Sequence, residues 1–320
     1  MDIFIAGGSG AVGRQLVPML VREGHHVVAM TRSADRATKL AAMGATPVIG
    51  DVFDRRWLEN QMQQARPDIV IHQLTAFGST GADPLAETIR IRTEGTQNLV
   101  DAARKSDARR FISQSISFIA KPVPSGLTDE SMPLYLDAPP AIRPLAESIA
   151  ELERLTLRES GMEGIVLRYG WFYGPGTNFD LMDSIPAAIR RGRMPIVGAG
   201  DGNYSFVHVS DAAAATMRAL TLGESGIYNI VDDVPVRLGE WLPVAAQLLG
   251  APPPGHMAEA LAREKLGDML VYVFNEQSGA SNRKAKQALG WKPSIPSWRT
   301  GFEALYAPAP GECVQEHKNA

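Results

Sequence analysis

The chain has 320 residues, a formal net charge of -3 and one cysteine, with 45% hydrophobic and 21% charged residues. Such usage is ordinary for a globular protein, and this length can bury a large core, which excludes a disordered chain. The small net charge and the lack of a long basic run exclude nucleic acid or an anionic membrane as the main partner and leave small molecules. A single cysteine, Cys313, allows no internal disulfide, CxxC motif or cysteine metal cluster, so no metal is expected and a reducing cytoplasm fits. No apolar run approaches the roughly 18 residues of a membrane helix, and the first strand starts too early for a signal peptide to precede it.

Met1 to Ala6 (MDIFIA) reads as a strand, and Gly7, Gly8, Ser9, Gly10, Ala11, Val12 and Gly13 follow at once. From Arg14 to Val21 the apolar residues take a helical period, so strand, glycine turn and helix succeed one another directly. Gly7 permits a tight turn, Gly10 lets backbone amides approach a pyrophosphate, and Gly13 lets helix and strand pack closely. The helix N-terminus, with the amides of Ala11 and Val12, favours the negative charge. The spacing G-x-x-G-x-x-G differs from the G-x-G-x-x-G of the general fingerprint, yet its setting predicts a dinucleotide site.

His25 to Met30 is a second strand ending at Thr31 and Arg32, where an NAD site typically carries an acid for the ribose 2'-hydroxyl. No acid stands there. Arg32, with Arg14, is expected to meet a 2'-phosphate, which predicts NADP as cofactor. A helix over 34–43 and a short strand at Thr46 to Gly50 lead to Asp51 and Val52, with Asp51 placed to hold the adenine amino group. After a helix at Trp57 to Ala65, Pro67 to Leu74 (PDIVIHQL) is apolar almost throughout, as a buried parallel strand is. Leu74, Thr75 and Ala76 leave its carboxyl end, where ligands of open parallel sheets collect. His72 inside that strand reads as a core histidine.

A helix from Glu87 to Lys105 precedes a fifth strand at Arg110 to Ser117 that ends in serines. The recurring strand, helix and strand with short connections predicts an α/β fold, a Rossmann-type doubly wound parallel sheet. Residues 121–143 are proline-rich and read as a long binding loop carrying Asp129, Glu130, Tyr135 and Asp137. A helix at Pro144 to Glu159 and a sixth strand at Gly164 to Tyr169 follow.

The order of these motifs resembles the extended short-chain dehydrogenase/reductase group, the NAD-dependent epimerase/dehydratase family. The resemblance rests on Gly7 to Gly13, the strand ending at Leu74, TEGTQNLVDAA at Thr93 to Ala103, Ser113 to Ser117, and LRYGWFYGPG at Leu167 to Gly176. It continues through FVHVSDAA, IYNIVDD and ALGWKP to about Ala307. It implies a Rossmann domain over 1–176, with a return to the sheet near 204–233, and a smaller C-terminal α+β substrate domain formed by 177–203 and 234–306. The resemblance also implies a cleft between them, cofactor contacts from Tyr169, and a homodimer. Residues 307–320 lack periodicity and are expected to be a mobile tail.

The departures bear on chemistry. Family members that move a hydride carry Tyr-x-x-x-Lys on the helix after the fifth strand, the tyrosine exchanging a proton with substrate and the lysine lowering its pKa. Alignment through SIAELERL places Leu145 and Ile149 there, and no Tyr-x-x-x-Lys occurs anywhere in the chain. Arg92 takes the place of the family's asparagine before the fifth strand, and Trp171 that of the asparagine in its N-x-Y-G-P stretch. Ser115 is the expected hydrogen-bond donor to substrate oxygen, with Ser117 beside it, and Tyr135 the expected acid, with Tyr169 and Tyr173 behind it. Arg92 is either a stabiliser of an anionic intermediate or an exposed helical arginine. Beyond 177, Ser210 is read as the cap of a helix over 211–221 and His208 as structural. Two classes of function remain: an NADP-dependent oxidoreductase or epimerase/dehydratase-like enzyme with a non-standard acid/base, acting on a small oxygen-rich molecule, and a catalytically silent NADP-binding sensor or ligand-binding module.

Overall fold

A computed structural model describes residues 1–77, 83–158 and 161–306; the tail read as mobile, with Cys313, lies outside them. The first half alternates β1 (Asp2–Ala6), α1 (Ala11–Arg22), β2 (His26–Thr31), α2 (Ala34–Ala42), β3 (Thr46–Ile49), α3 (Arg55–Ala65) and β4 (Ile69–His72). Then come α4 (Pro84–Arg90), α5 (Thr96–Lys105), β5 (Arg110–Ile116), α6 (Arg143–Leu157) and β6 (Glu163–Tyr169). Short strands β7 (Trp171–Tyr173), β8 (Ile196–Val197), β9 (Asn203–Tyr204) and β10 (Phe206–His208) intersperse with α7 (Ser184–Arg190), before α8 (Val209–Ala219) and β11 (Gly226–Ile230).

Seven strands form one parallel sheet in the order β11-β6-β5-β4-β1-β2-β3. The strand order reverses between β1 and β4, which opens a crevice at their carboxyl ends. The strands are apolar on both faces because both are covered. Ile3, Ile5, Ile71 and Ile112 pack with α1 and α8 on one side, and Phe4, Ala6, Val70 and Phe111 pack with α3 and α5 on the other. Each of these isoleucine, valine and phenylalanine side chains contributes roughly 1.5–3 kcal/mol of burial, so the sheet is a stiff platform for whatever leaves its edge.

A third apolar cluster is built on aromatic rings, Tyr173, Phe179, Phe206, Trp241 and Phe302 among them, and includes Ile116, Leu145 and Ile149. Conserving its link to the sheet, Asp211 at the start of α8 accepts from Ser294 N at 2.8 Å and Ile295 N at 3.0 Å, while Trp291 Nε1 donates to its carbonyl. The VSDAA and GWKP stretches are therefore one docking joint. The cap of α8 is not Ser210 as expected: His208 Nδ1 accepts from Ser210 N, and also pairs with Ser210 Oγ at 2.6 Å.

The helix read as continuous from Glu87 to Lys105 is interrupted. Between α4 and α5, Ile91–Gly95 forms a π-type turn in which Thr96 N reaches back five residues to the Ile91 carbonyl. Thr96 Oγ1 reinforces the slip by bonding the same carbonyl at 3.3 Å, and Gly95 allows close passage over Val52, whose Cγ1 would stand 3.3 Å from an added Cβ. Single π turns of this kind recur at functional sites.

Candidate dinucleotide and substrate site

The glycine turn sits at the strand-order reversal. Gly7 has φ +99°, and a Cβ there would stand 2.6 Å from the Gln73 carbonyl carbon, so the turn is pressed against the end of β4. A Cβ on Gly13 would come within 2.4 Å of the Gly8 carbonyl, whereas one on Gly10 meets only the Gly7 oxygen at 3.3 Å. Gly10 caps α1 without a side-chain hydrogen bond, leaving the first amides of α1, from Ala11, Val12 and Gly13, to point outward. That arrangement, an uncapped helix start behind a backbone no side chain obstructs, fits a dinucleotide pyrophosphate. Exposed Arg14 borders it: its Nε donates to the Ser9 carbonyl at 3.1 Å, and its Nη1 would be 3.1 Å from a Cβ on Gly176.

At the end of β2, Thr31 is buried and its Oγ1 accepts from Ser33 N at 3.3 Å. Arg32 pairs with Glu87 at 2.7 Å on the exposed surface. Arg14 and Arg32 thus hold different partners in this structure, where convergence on one phosphate was expected. Asp51 turns one carboxylate oxygen back onto Phe53 N at 3.0 Å, and buried Val52 is fixed through its carbonyl by Asn98 Nδ2 at 3.0 Å. At the end of β4, Leu74 N donates to His72 Nδ1 at 3.2 Å and Ala76 N to Thr88 Oγ1 at 3.0 Å, with Thr75 between them half-buried. His72 is buried, its Nε2 pairs with Thr96 Oγ1 at 3.0 Å, and burial followed by the nearby Arg92 charge pushes its pKa down to about 3. Both ring nitrogens are occupied and the ring is neutral.

Two expected site residues turn away from the crevice. Ser115 is fully buried and donates to Glu153 Oε1 at 2.8 Å; Glu153 in turn takes a bidentate pair from Arg168, Nε and Nη2 each at 2.7 Å. One rung below, Thr156 Oγ1 donates to Ser113 Oγ at 2.9 Å. These contacts form a ladder between β5 and α6, so the assignment of Ser115 as a substrate donor is corrected to a structural one. Ser117, past the end of β5, is buried and makes no side-chain hydrogen bond among those found for the described residues. Tyr169 points to the opposite face: it is fully buried, its hydroxyl bonds Thr216 Oγ1 at 2.6 Å and accepts from Gln73 Nε2 at 3.2 Å, and burial pushes its pKa up to about 12. Its side chain is core, leaving only its backbone at the crevice. Tyr173 is core as well, wedged on Phe206, His208 and Phe302, with burial raising its phenol pKa.

One helical turn above the Glu153 rung stand Ile149 and then Leu145, both buried, in the same apolar cluster as Ile116. Ile116, Ile149 and Leu145 thus form a hydrocarbon corner. Aromatic side chains that belong to the same cluster or pack against it form a wall. Phe118 stacks on Trp171 with centroids 4.3 Å apart, Trp171 leans on Tyr204 at 5.3 Å, and half-buried Tyr135 faces Tyr272 at 5.8 Å. The proline-rich loop is tied down: Tyr135 N donates to the Ile119 carbonyl at 3.0 Å and Thr128 N to the Gly279 carbonyl at 2.8 Å. Its Glu130 accepts from Asn229 N at 2.7 Å, and its Asp137 pairs with Lys121. The Tyr135 hydroxyl is without a hydrogen bond among the described residues, whereas Tyr272 donates to the Phe118 carbonyl at 2.6 Å.

Arg92, on the π turn, is 2% exposed, so it is not a surface arginine. No group of three or more His, Cys, Asp and Glu able to hold a metal occurs among the described residues, and no described helix is long and apolar enough to cross a membrane.

The sequence pattern of the NAD dependent epimerase/dehydratase family matches residues 3–231. A relative from Streptomyces sp, 3-diazoavenalumate denitrifying reductase, is 41% identical over 306 residues, 94% of this chain and 99% of that one. A ketoreductase of Stigmatella aurantiaca named for a 4-hydroxy-2-methyl-3-oxo-4-farnesyl-3,4-dihydroquinoline-1-oxide is 28% identical, covering 99% and 100% of the two chains. Among solved structures, Thermotoga maritima UDP-glucose 4-epimerase with UDP-glucose aligns at TM-score 0.77 and 22% identity over 96% and 97% of the chains. The dTDP-glucose 4,6-dehydratase DesIV of Streptomyces venezuelae, with NAD and TYD bound, aligns at 0.75 and 23% over 96% of each. At those identities the structural likeness speaks for the fold.

Proposed function

This chain belongs to the NAD-dependent epimerase/dehydratase family, and we propose that within it the protein is a reductase that delivers hydride to a small aromatic electrophile whose reduction needs no proton from a side chain. A bound nicotinamide dinucleotide supplies that hydride. The uncapped start of α1 would hold its pyrophosphate, Asp51 and Val52 would border its adenine, and the end of β4 would lie toward its nicotinamide.

The observation that carries this reading is the hydrocarbon corner. Reduction of a carbonyl leaves an alkoxide that an acid must protonate, and at Leu145 and Ile149 none is available. A diazonium carbon instead exchanges its C–N bond for a C–H bond: the arene gains a hydride, dinitrogen departs, and no proton is consumed. The Streptomyces relative is named as a reductase that removes nitrogen from a diazo compound, which supports this class of acceptor. Half-buried Phe118, Trp171 and Tyr135 supply flat surface for an aromatic ring.

The absence of an acid at Thr31 and Arg32 supports NADP over NAD, with Arg32 exchanging Glu87 for the 2'-phosphate. The elements beyond β6 that do not join the sheet are taken as the substrate-binding part, and the working assembly as a homodimer, which light scattering tests.

A carbonyl acceptor served by Tyr135 is the second reading, favoured by the unpartnered Tyr135 hydroxyl. NADPH deuterated at its transferable position, given a hydroxyl-bearing arenediazonium, an aromatic ketone and UDP-glucose in parallel, separates the two. Deuterium in the arene with release of dinitrogen, and near wild-type turnover in Tyr135→Phe, is expected. Preferential reduction of the ketone with a loss of about 100-fold or more in Tyr135→Phe would establish the second reading. Binding of NADPH without turnover of any acceptor would point to a silent module.

A further inference from the structure

The π turn carries a charge that no described residue neutralises. Arg92 is 2% exposed, its Nη1 is buried without a hydrogen-bond partner, and it makes no ion pair or side-chain hydrogen bond among the described residues. A buried cation is ordinarily paired, because leaving it alone in a low dielectric costs several kcal/mol. The neighbouring ring, His72, has no nitrogen free to accept from Arg92, since Thr96 and Leu74 N engage both. Among the described residues no carboxylate acts on Arg92, and burial lowers its pKa only to about 10, so it remains charged at neutral pH.

Its position gives that charge a purpose. Ile91–Gly95 packs against both α5 and α6, behind the carboxyl end of β4 and beside the helix that carries Leu145 and Ile149. Arg92 is therefore a desolvated cation on a turn that packs against the helix carrying Leu145 and Ile149, and burial leaves its field poorly screened.

We propose that Arg92 is the anchor for an anionic oxygen substituent, a carboxylate or phenolate, on the substrate of this site. The assignment rests on the reductase reading for the substrate's aromatic character, and its own content is the negative charge. A planar guanidinium presents two parallel N–H groups to a carboxylate, which fixes the ring plane as well as its position. The ring then lies along the Phe118, Trp171 and Tyr135 wall with its electrophilic substituent turned toward the crevice.

Binding and stability together test this on the NADP-loaded protein. Calorimetry compares benzoate and cinnamate with benzamide and cinnamamide, in wild type, Arg92→Lys and Arg92→Met. The acids should bind wild type at least tenfold more tightly than the amides; Arg92→Met should lose that preference and Arg92→Lys should keep part of it. In the ligand-free protein Arg92→Met should raise the melting temperature, because it removes an uncompensated buried charge; a structural arginine would lower it. Acids that bind no better than amides, fail to bind wild type, or bind Arg92→Met equally would overturn the assignment, as would a lowered melting temperature. If acid binding depends on Arg92 while no diazonium is reduced, the anchor stands and the reductase reading falls.

Discussion

Removing the Ser115 hydroxyl separates a structural from a catalytic serine. Ser115 donates at 2.8 Å to Glu153, which also neutralises Arg168 through two contacts of 2.7 Å. Both charged side chains are nearly sealed from solvent, at 4% and 7% exposure. A buried hydrogen bond to a charged group is worth about 1.5–3 kcal/mol, and breaking a buried ion pair costs about 3–5 kcal/mol. With an unfolding entropy of about 2.1 cal/mol/K per residue, a chain of 320 residues moves by roughly 1.5 °C per kcal/mol. Ser115→Ala should therefore lower the melting temperature by about 2–5 °C and Glu153→Gln by about 5–8 °C, with coupled losses in the double variant. Scanning calorimetry gives these shifts, and turnover measured well below the transition should match wild type for Ser115→Ala. A Ser115→Ala variant with unchanged melting temperature and a hundredfold loss of turnover would refute the ladder and return Ser115 to catalysis.

Gly10→Val should leave the fold intact and abolish dinucleotide binding, while Gly13→Ala should destabilise the protein itself, because its Cβ would sit 2.4 Å from the Gly8 carbonyl; thermal melts and calorimetry distinguish the two. Arg32→Ala should lose about tenfold or more in NADP affinity and little in NAD affinity, equal losses counting against a 2'-phosphate contact. Asp232 is buried, one carboxylate oxygen lacks a partner, and burial pushes its pKa up to about 8 from 3.8. Its stabilising contribution is thus complete below the unfolded value and lost as pH rises through about 8, so Asp232→Asn should flatten the fall in melting temperature between about pH 4 and pH 8.

What was legible in the sequence is what depends on local period and backbone need. The alternation of apolar strands and amphipathic helices, and the three glycines whose added Cβ atoms or φ angles mark the turn, follow from residues next to one another in the chain. Side-chain direction does not. Ser115 and Ser117 flank the last residue of β5 and share the same parity, but the strand stops at Ile116, and only the Glu153 and Arg168 partners reveal that Ser115 is consumed at α6. Tyr169 is read toward the crevice from its motif, while the position of Thr216 on α8 draws it to the far face. The π turn was invisible because it needs the Thr96 hydroxyl and the passage over Val52 together; its signal was Gly95 in the middle of an otherwise unbroken helical pattern.

The changes around α6 are coherent in physical terms. On the proposed reading, hydride transfer needs a fixed distance between donor and acceptor, which the sheet edge, the glycine turn and the tied loop would set without any titratable group. Proton transfer requires a phenol, an imidazole or an ammonium within reach, and Ile116, Leu145 and Ile149 supply none. On the proposed reading, the hydrocarbon corner also disfavours a phenolate, since a low dielectric raises a phenol's pKa. The same dryness has the opposite effect on Arg92, whose attraction for an anion grows as water is excluded. A corner that is poor for protons and strong for anions suits an acceptor that brings its own electron demand and its own negative handle.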